Sequence, residues 1–186
     1  MKKNTSQGNE NPFPILTTER LLLRRFQPDD IESVYRGLSH PEVIKYYGVS
    51  YTSLEATQEQ MDWFAAIEKE ERGIWWAVCN KQDQTFLGAI GFNNWSKENR
   101  KIEMGYWLLP EFWGSGIIRE AGLAVCEYAF QKMSVHRIEA LIETENANSK
   151  KIMTQLGFEL ERVMRDCEIK DGKLISLEMY AKLNRI

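Results

Sequence analysis

Residues 103–121, Glu-Met-Gly-Tyr-Trp-Leu-Leu-Pro-Glu-Phe-Trp-Gly-Ser-Gly-Ile-Ile-Arg-Glu-Ala, constrain this chain more than any other stretch. Residues 101–109 read as a strand, Pro110 interrupts it, and Gly114 and Gly116 form a tight turn. A long helix follows over 116–133, with Ile118, Ala121, Val125 and Tyr128 as its buried stripe. Glycines let a turn approach a ligand closely. The unbonded N–H groups and positive dipole end of the following helix favour a phosphate. Taken alone, the Gly-x-Gly pair reads equally well as a plain turn. Two nucleotide-binding patterns are excluded by residue type. No Lys-Ser/Thr pair follows the last glycine, and Arg119 stands where a dinucleotide fingerprint needs a third glycine.

The elements around this stretch set the fold class. Residues 20–25 read as an opening strand. Pro28, Asp29 and Asp30 suit a helix start, and Ile31, Val34, Tyr35 and Leu38 share one helical face. The run Thr52-Ser-Leu-Glu55 has the capping-box form, opening a second helix that carries Leu54, Met61 and Phe64 and stops near Gly73. Residues 74–79, 85–92 and 101–109 form an antiparallel meander. After the long helix come a strand at 137–143, a short helix at 146–156 closed by Gly157, and strands at 159–169 and 173–182 around the Asp171-Gly172 turn, a strong hairpin signal. The expected fold class is α/β (α+β). It is a mixed, mostly antiparallel twisted sheet of about seven strands flanked by about four helices.

At 186 residues, 43% hydrophobic and 27% charged, the chain suits one globular domain over 13–186, with a polar, disordered tail over 1–12. A formal charge of −3 argues against a broad basic face for direct nucleic-acid binding. No apolar run is long enough for a bilayer or a secretion signal, so the expected location is cytoplasmic, away from membranes. Cys79, Cys126 and Cys167 have no paired spacing and read as reduced packing residues; with His40 and His136 alone, no metal site is expected.

Four motifs in order resemble those of the GNAT superfamily of N-acetyltransferases, on the RimJ/RimL-like branch of ribosomal-protein N-terminal acetyltransferases. Residues 111–116 match the spacing of the acetyl-CoA motif Q/R-x-x-G-x-G/A, and Gly114 to Ala121 match its Gly-x-Gly-x-x-x-Glu-Ala version. Leu16-Thr-Thr-Glu-Arg-Leu-Leu-Leu-Arg24 resembles the family's first strand, and Glu103-Met-Gly-Tyr-Trp107 its fourth. Glu145-Asn-Ala-Asn-Ser149 with Leu156-Gly-Phe158 resembles its terminal motif. The resemblance spans roughly residues 15–183.

It implies acetyl-CoA as cosubstrate, with no metal. Backbone groups of Trp107, Leu108 and Leu109 would pair with the pantetheine arm. The N–H groups of Trp113, Gly114, Ser115, Gly116, Ile117 and Ile118 would hold the pyrophosphate, and Asn146 would bond the arm near the thioester. Glu111 departs from the motif's Gln or Arg, and its side chain is expected to point outward. Ile118 is bulkier than the family's small residue.

An amine would attack the thioester directly. Glu103 is the implied base, acting through a water, and the Leu108 or Leu109 N–H the oxyanion donor. The tyrosine that many relatives use as acid is replaced by Met153, which leaves Ser149 to contact the sulfur. Positioning, at roughly 7 to 11 kcal/mol, outweighs one acid–base group at about 10²- to 10⁴-fold.

For the acceptor, Tyr46, Tyr47, Asn93 and Glu103 form the expected rim, with Asn94 nearby. Most of the remaining aromatics, Trp63, Trp75, Trp76, Phe92 and Trp95 among them, read as core. The resemblance implies a protein N-terminal α-amine, a ribosomal protein's by the branch it resembles. The alternatives are a small amine (polyamine, amino acid or aminoglycoside) and a non-catalytic CoA-binding module. Either a monomer or a homodimer fits.

Overall fold

A computed structural model describes residues 12–185; apart from Pro12, the expected tail at 1–12 lies outside the described residues. In chain order the elements are β1 (Leu16–Thr17), β2 (Leu21–Arg24), α1 (Ile31–Leu38), α2 (Pro41–Ile44), α3 (Leu54–Lys69), β3 (Ile74–Asn80), β4 (Phe86–Ser96), β5 (Lys101–Leu108), α4 (Ile117–Lys132), β6 (Arg137–Glu143), α5 (Ala147–Gln155), β7 (Glu159–Lys170) and β8 (Lys173–Leu183). Single 3₁₀ turns precede α1 and α4. The strands form one sheet in the order β1-β2-β3-β4-β5-β6-β8-β7. Every pairing is antiparallel except β5 with β6.

The expected seven strands and four helices become eight and five. The additions are β1, two residues long, and α2, four residues long, both too short to show a period. α2 has local signals even so: His40 Nδ1 accepts from the Glu42 N–H at 3.3 Å, and Pro41 takes the first helical position.

Two details of α3 also differ from expectation. Its cap is Ser53, which accepts from the Ala56 N–H at 3.0 Å, so the Thr52–Glu55 capping box does not form. Its buried face runs through Thr57, Gln60, Phe64 and Ile67, while Leu54 is exposed. The polar pair is tolerated inside because Thr57 donates to the Ser53 carbonyl and Gln60 accepts from Tyr51. The helix ends at Lys69, where Glu71, not Gly73, adopts the left-handed conformation with φ 52°.

Helices cover both faces of the central sheet, so the first six residues of β3 are all buried. Trp76, Val78, Ile90 and Phe92 pack with Ile118, Ala121 and Val125 of α4 on one face. Trp75, Ala77, Cys79 and Trp107 pack with Val34 and Leu38 of α1 and Phe64 of α3 on the other. Cys79 and Cys126 are packing residues as expected, but Cys167 on β7 is exposed and is not. The Asp171-Gly172 turn forms as read, with φ of 49° and 74° at its two central residues, the type that matches strand twist. No helix among the described residues is long and apolar enough to cross a membrane.

Candidate active site

The site begins where the sheet stops being continuous. β5 and β6 pair only over Lys101–Arg137, Ile102–Ile138 and Glu103–Glu139. Beyond that, β5 continues with β4 and β6 with β8, so their facing edges separate. The wedge opens into a groove of about 1760 Å³ that runs from the first turn of α4, past β5, to the loop after α2 and the tip of the β7–β8 hairpin.

On β5, antiparallel pairing directs alternate residues toward β4 and toward the wedge. The Leu109 N–H donates to the Leu87 carbonyl at 2.9 Å. Leu109 is therefore not a free oxyanion donor. With the register Ala89–Trp107 and Gly88–Leu108, Trp107 also addresses β4, while Tyr106 and Leu108 address the wedge. The expected backbone contribution of 107–109 thus narrows to the N–H of Leu108, whose carbonyl accepts from Trp113 Nε1 at 3.0 Å; Leu108 lines the groove while Trp107 and Leu109 do not.

At the phosphate end, Gly114 and Gly116 have φ of 74° and 78°, a region costly for any residue with a Cβ. A Cβ at Gly114 would meet nothing within 4 Å, so the turn faces open groove. Gly116 is the N-cap of α4 without side-chain capping, and the first bond inside the helix runs from the Glu120 N–H to the Gly116 carbonyl at 3.0 Å. The N–H groups of 117–119 therefore have no partner within the helix. Trp113, Gly114, Gly116, Ile117, Ile118 and Arg119 all line the groove. Ser115 does not: its hydroxyl donates to the Phe112 carbonyl at 2.5 Å and its own carbonyl accepts from Arg20 at 3.0 Å, so it shapes the turn. Glu111 turns aside as expected and pairs with Arg36 at 2.7 Å, outside the groove lining. The bulk of Ile118 sinks into the core, 4% exposed.

The turn is clamped from across the sheet by residues that sequence reading did not single out. Glu120 accepts from Thr18 Oγ1 at 2.5 Å, the Arg20 N–H at 2.9 Å and Arg20 Nε at 2.7 Å. Burial pushes the Glu120 pKa up, but these hydrogen bonds and the Arg20 charge outweigh it and hold it below the ordinary value. The opening-strand motif and the Glu of the helix motif thus occur together because they touch. That pairing was the signal available in the sequence.

At the vertex of the wedge, Glu103 is the last β5 residue paired to β6 and stands opposite Asn93 of β4. An irregularity after Asn93, with Asn94 at φ 51°, aims Asn94 so that it donates to Glu103 Oε2 at 3.0 Å. The Asn93 side-chain oxygen is taken by Trp75 Nε1 at 2.6 Å. On the opposite wall Asn146 caps α5, its oxygen accepting from the Ser149 N–H at 3.1 Å, which leaves its amide hydrogens free. Asn146 and Ser149 both line the groove, whereas Met153 is fully buried core.

The acceptor end is assembled from loops. Tyr46, Tyr47, Asn93 and Glu103 line it, joined by Tyr51, Trp63 and Trp75; Trp75 is core as expected and Trp63 packs against that core half-buried. Burial keeps the Tyr47 hydroxyl firmly protonated. Lys170 of β7 reaches over the groove, donating to the Lys45 carbonyl and to Glu143 Oε1 and lying 5.8 Å from the Tyr46 ring. Tyr46 in turn donates to the Glu145 carbonyl at 3.4 Å. Sequence reading missed this strap, because nothing local links residues 45, 143 and 170. No group of three or more His, Cys, Asp or Glu placed to hold a metal occurs among the described residues.

The profile of the family described as "Acetyltransferase (GNAT) domain" matches residues 20–159. The Bacillus subtilis (strain 168) protein named "Uncharacterized N-acetyltransferase YoaA" is 33% identical over 170 residues, covering 91% of this chain and 96% of that protein. The Escherichia coli (strain K12) "Ribosomal-protein-serine acetyltransferase" is 28% identical over 103 residues, 55% of this chain and 57% of its own. A crystal structure of a GNAT-family acetyltransferase from Bacillus anthracis superposes with a TM-score of 0.82 at 26% identity, covering 91% of this chain and 98% of that one. A split sheet edge beside a glycine turn fits the amide-rich arm and diphosphate of the cosubstrate that this family uses. The chain belongs to the GNAT acetyltransferase family and is an acetyl-CoA-dependent N-acetyltransferase.

Proposed function

We propose that this enzyme acetylates the N-terminal α-amine of a polypeptide. The observation that carries the reading is the size and continuity of the groove. At about 1760 Å³ it exceeds the roughly 300–1,000 Å³ of compact small-ligand pockets. It also continues past Glu103 beneath the Lys170 strap. Such a passage takes a cosubstrate arm from one end and an extended chain segment from the other. The name of the E. coli relative agrees with this reading.

Acetyl-CoA supplies an activated thioester carbonyl, and the residues of this chain divide the remaining work. Glu103, with one carboxylate oxygen on Asn94, accepts the proton of the incoming ammonium through a water. An α-amine has a pKa of about 8, against about 10.4 for a lysine, so near neutral pH far more of the former is available as free base. The Leu108 N–H faces the developing oxyanion. Asn146 donates its free amide hydrogens to the arm, and the Ser149 hydroxyl faces the leaving sulfur.

A second reading is a small polycationic amine. Glu59, Glu168 and Asp171 line the acceptor end without ion pairs among the described residues and would attract one. Thiol release from acetyl-CoA separates the two. Short peptides with a free α-amine should turn over at least tenfold faster than the same peptides N-blocked but carrying lysine, and faster than polyamines or aminoglycosides. Preference for the polyamines would overturn the first reading. Absence of turnover with every amine would support a CoA-binding module.

A further inference from the structure

Among the described residues, three buried side-chain polar atoms have no hydrogen-bond partner: Arg24 Nε, Trp107 Nε1 and the Tyr106 hydroxyl. The first belongs to a guanidinium whose other nitrogens hold Asp30, and neither it nor Trp107 lines the groove. Tyr106 does. A buried hydroxyl left unbonded is a net cost that phenylalanine would avoid. Tyr106 also shares the wedge-facing backbone register of β5 with Leu108.

The group facing it is Ser149. Burial pushes the Tyr106 pKa up, to about 12, and the Ser149 hydroxyl acts in the opposite direction. The Ser149 N–H is held by the Asn146 side-chain oxygen, which leaves the Ser149 hydroxyl to interact with Tyr106. Tyr106 on β5 and Ser149 on the first turn of α5 thus line the same groove with their hydroxyls as neighbours. Met153 is buried in the core and supplies no donor.

We propose that Tyr106 is a positioning residue for thiolate departure: its hydroxyl donates to Ser149 Oγ and turns the Ser149 O–H toward the sulfur. This rests on the reading that Ser149 faces the leaving group. As the amine nitrogen bonds to the carbonyl carbon and the C–S bond breaks, the electron pair goes to sulfur. The ammonium loses one proton through Glu103 to solvent before attack, and the nitrogen sheds a second the same way as the neutral amide forms; coenzyme A departs as thiolate and takes up a proton from solvent. Neither hydroxyl gives up its proton, because a thiol, with a pKa near 8.5, is the stronger acid. Both act as hydrogen-bond donors to developing charge.

The test is a double-mutant cycle of Tyr106→Phe and Ser149→Ala. It is read as kcat for thiol release with the fastest acceptor amine, with thermal midpoints measured alongside. Tyr106→Phe should lower kcat about tenfold, leave both KM values within about twofold, and keep or raise the midpoint. In the Ser149→Ala background the same change should have no further effect. An unchanged kcat in Tyr106→Phe, or an equal loss in both backgrounds, overturns the role of Tyr106 alone. An unchanged kcat in Ser149→Ala overturns the reading of Ser149 on which it rests.

Discussion

The two ends of the groove are held by different kinds of structure. The cosubstrate end is main chain: the unpaired edge of β5, a turn with two left-handed glycines, and the first N–H groups of α4. Its position is fixed by Glu120 gripping the segment before β2. The acceptor end is side chain, drawn from α3, the loop after α2, three strands and a hairpin tip, and it is tied across by Lys170 and by Tyr46 on the Glu145 carbonyl. Backbone recognition suits a ligand that stays the same through evolution, and side chains on loops suit one that changes. Substitutions at the two ends should therefore fail in separable ways.

The largest separation lies at the vertex. Glu103→Gln should lower kcat by about 10²- to 10⁴-fold while coenzyme A affinity stays within twofold, as calorimetry and steady-state rates would show together. Loss of cosubstrate binding in this variant would merge the two ends. Next is Gly116→Val, which forces a branched side chain into φ 78° at the α4 cap. Strain of about 1–3 kcal/mol predicts a rise of about 5- to 150-fold in KM for acetyl-CoA, with acceptor KM little changed. Lys170→Met should reverse that pattern, changing acceptor KM several-fold and leaving acetyl-CoA KM alone; equal shifts in both would show that the strap also shapes the cosubstrate end.

The smallest effect concerns the clamp. The Glu120 pKa is depressed in the folded state, so its contribution to stability is present above the unfolded value of about 4.5 and lost as pH falls through the folded one. Glu120→Gln should destabilise the protein at neutral pH and flatten the acid limb of its thermal-midpoint profile below about pH 5. An unaltered limb would remove the clamp from the account.

The same contrast explains what could be read from sequence. The strand, glycine turn and helix of 101–133 are contiguous and periodic, so their fold and their anion-binding end follow from local rules. The Asp171-Gly172 hairpin and the Gly157 stop were equally local. The role of Leu109 could not be settled that way, because which neighbour takes an N–H depends on the β4 register. The α3 face shifted to Thr57 and Gln60 because tertiary partners, Tyr51 among them, satisfy polar groups that a hydrophobic pattern places outside. The Lys170 strap joins residues 125 apart in the chain, and no period or motif encodes such a contact. Tyr106 lay within a recognised motif, but only burial without a partner marked its hydroxyl.

The most direct test is calorimetric titration of coenzyme A into the wild-type protein and into Gly116→Val. A saturable heat in the wild type, weakened at least about fivefold by Gly116→Val with no change in fold by circular dichroism, is the predicted result. No heat from a folded wild type, or equal affinity in both proteins, would contradict main-chain recognition at the split strand and glycine turn.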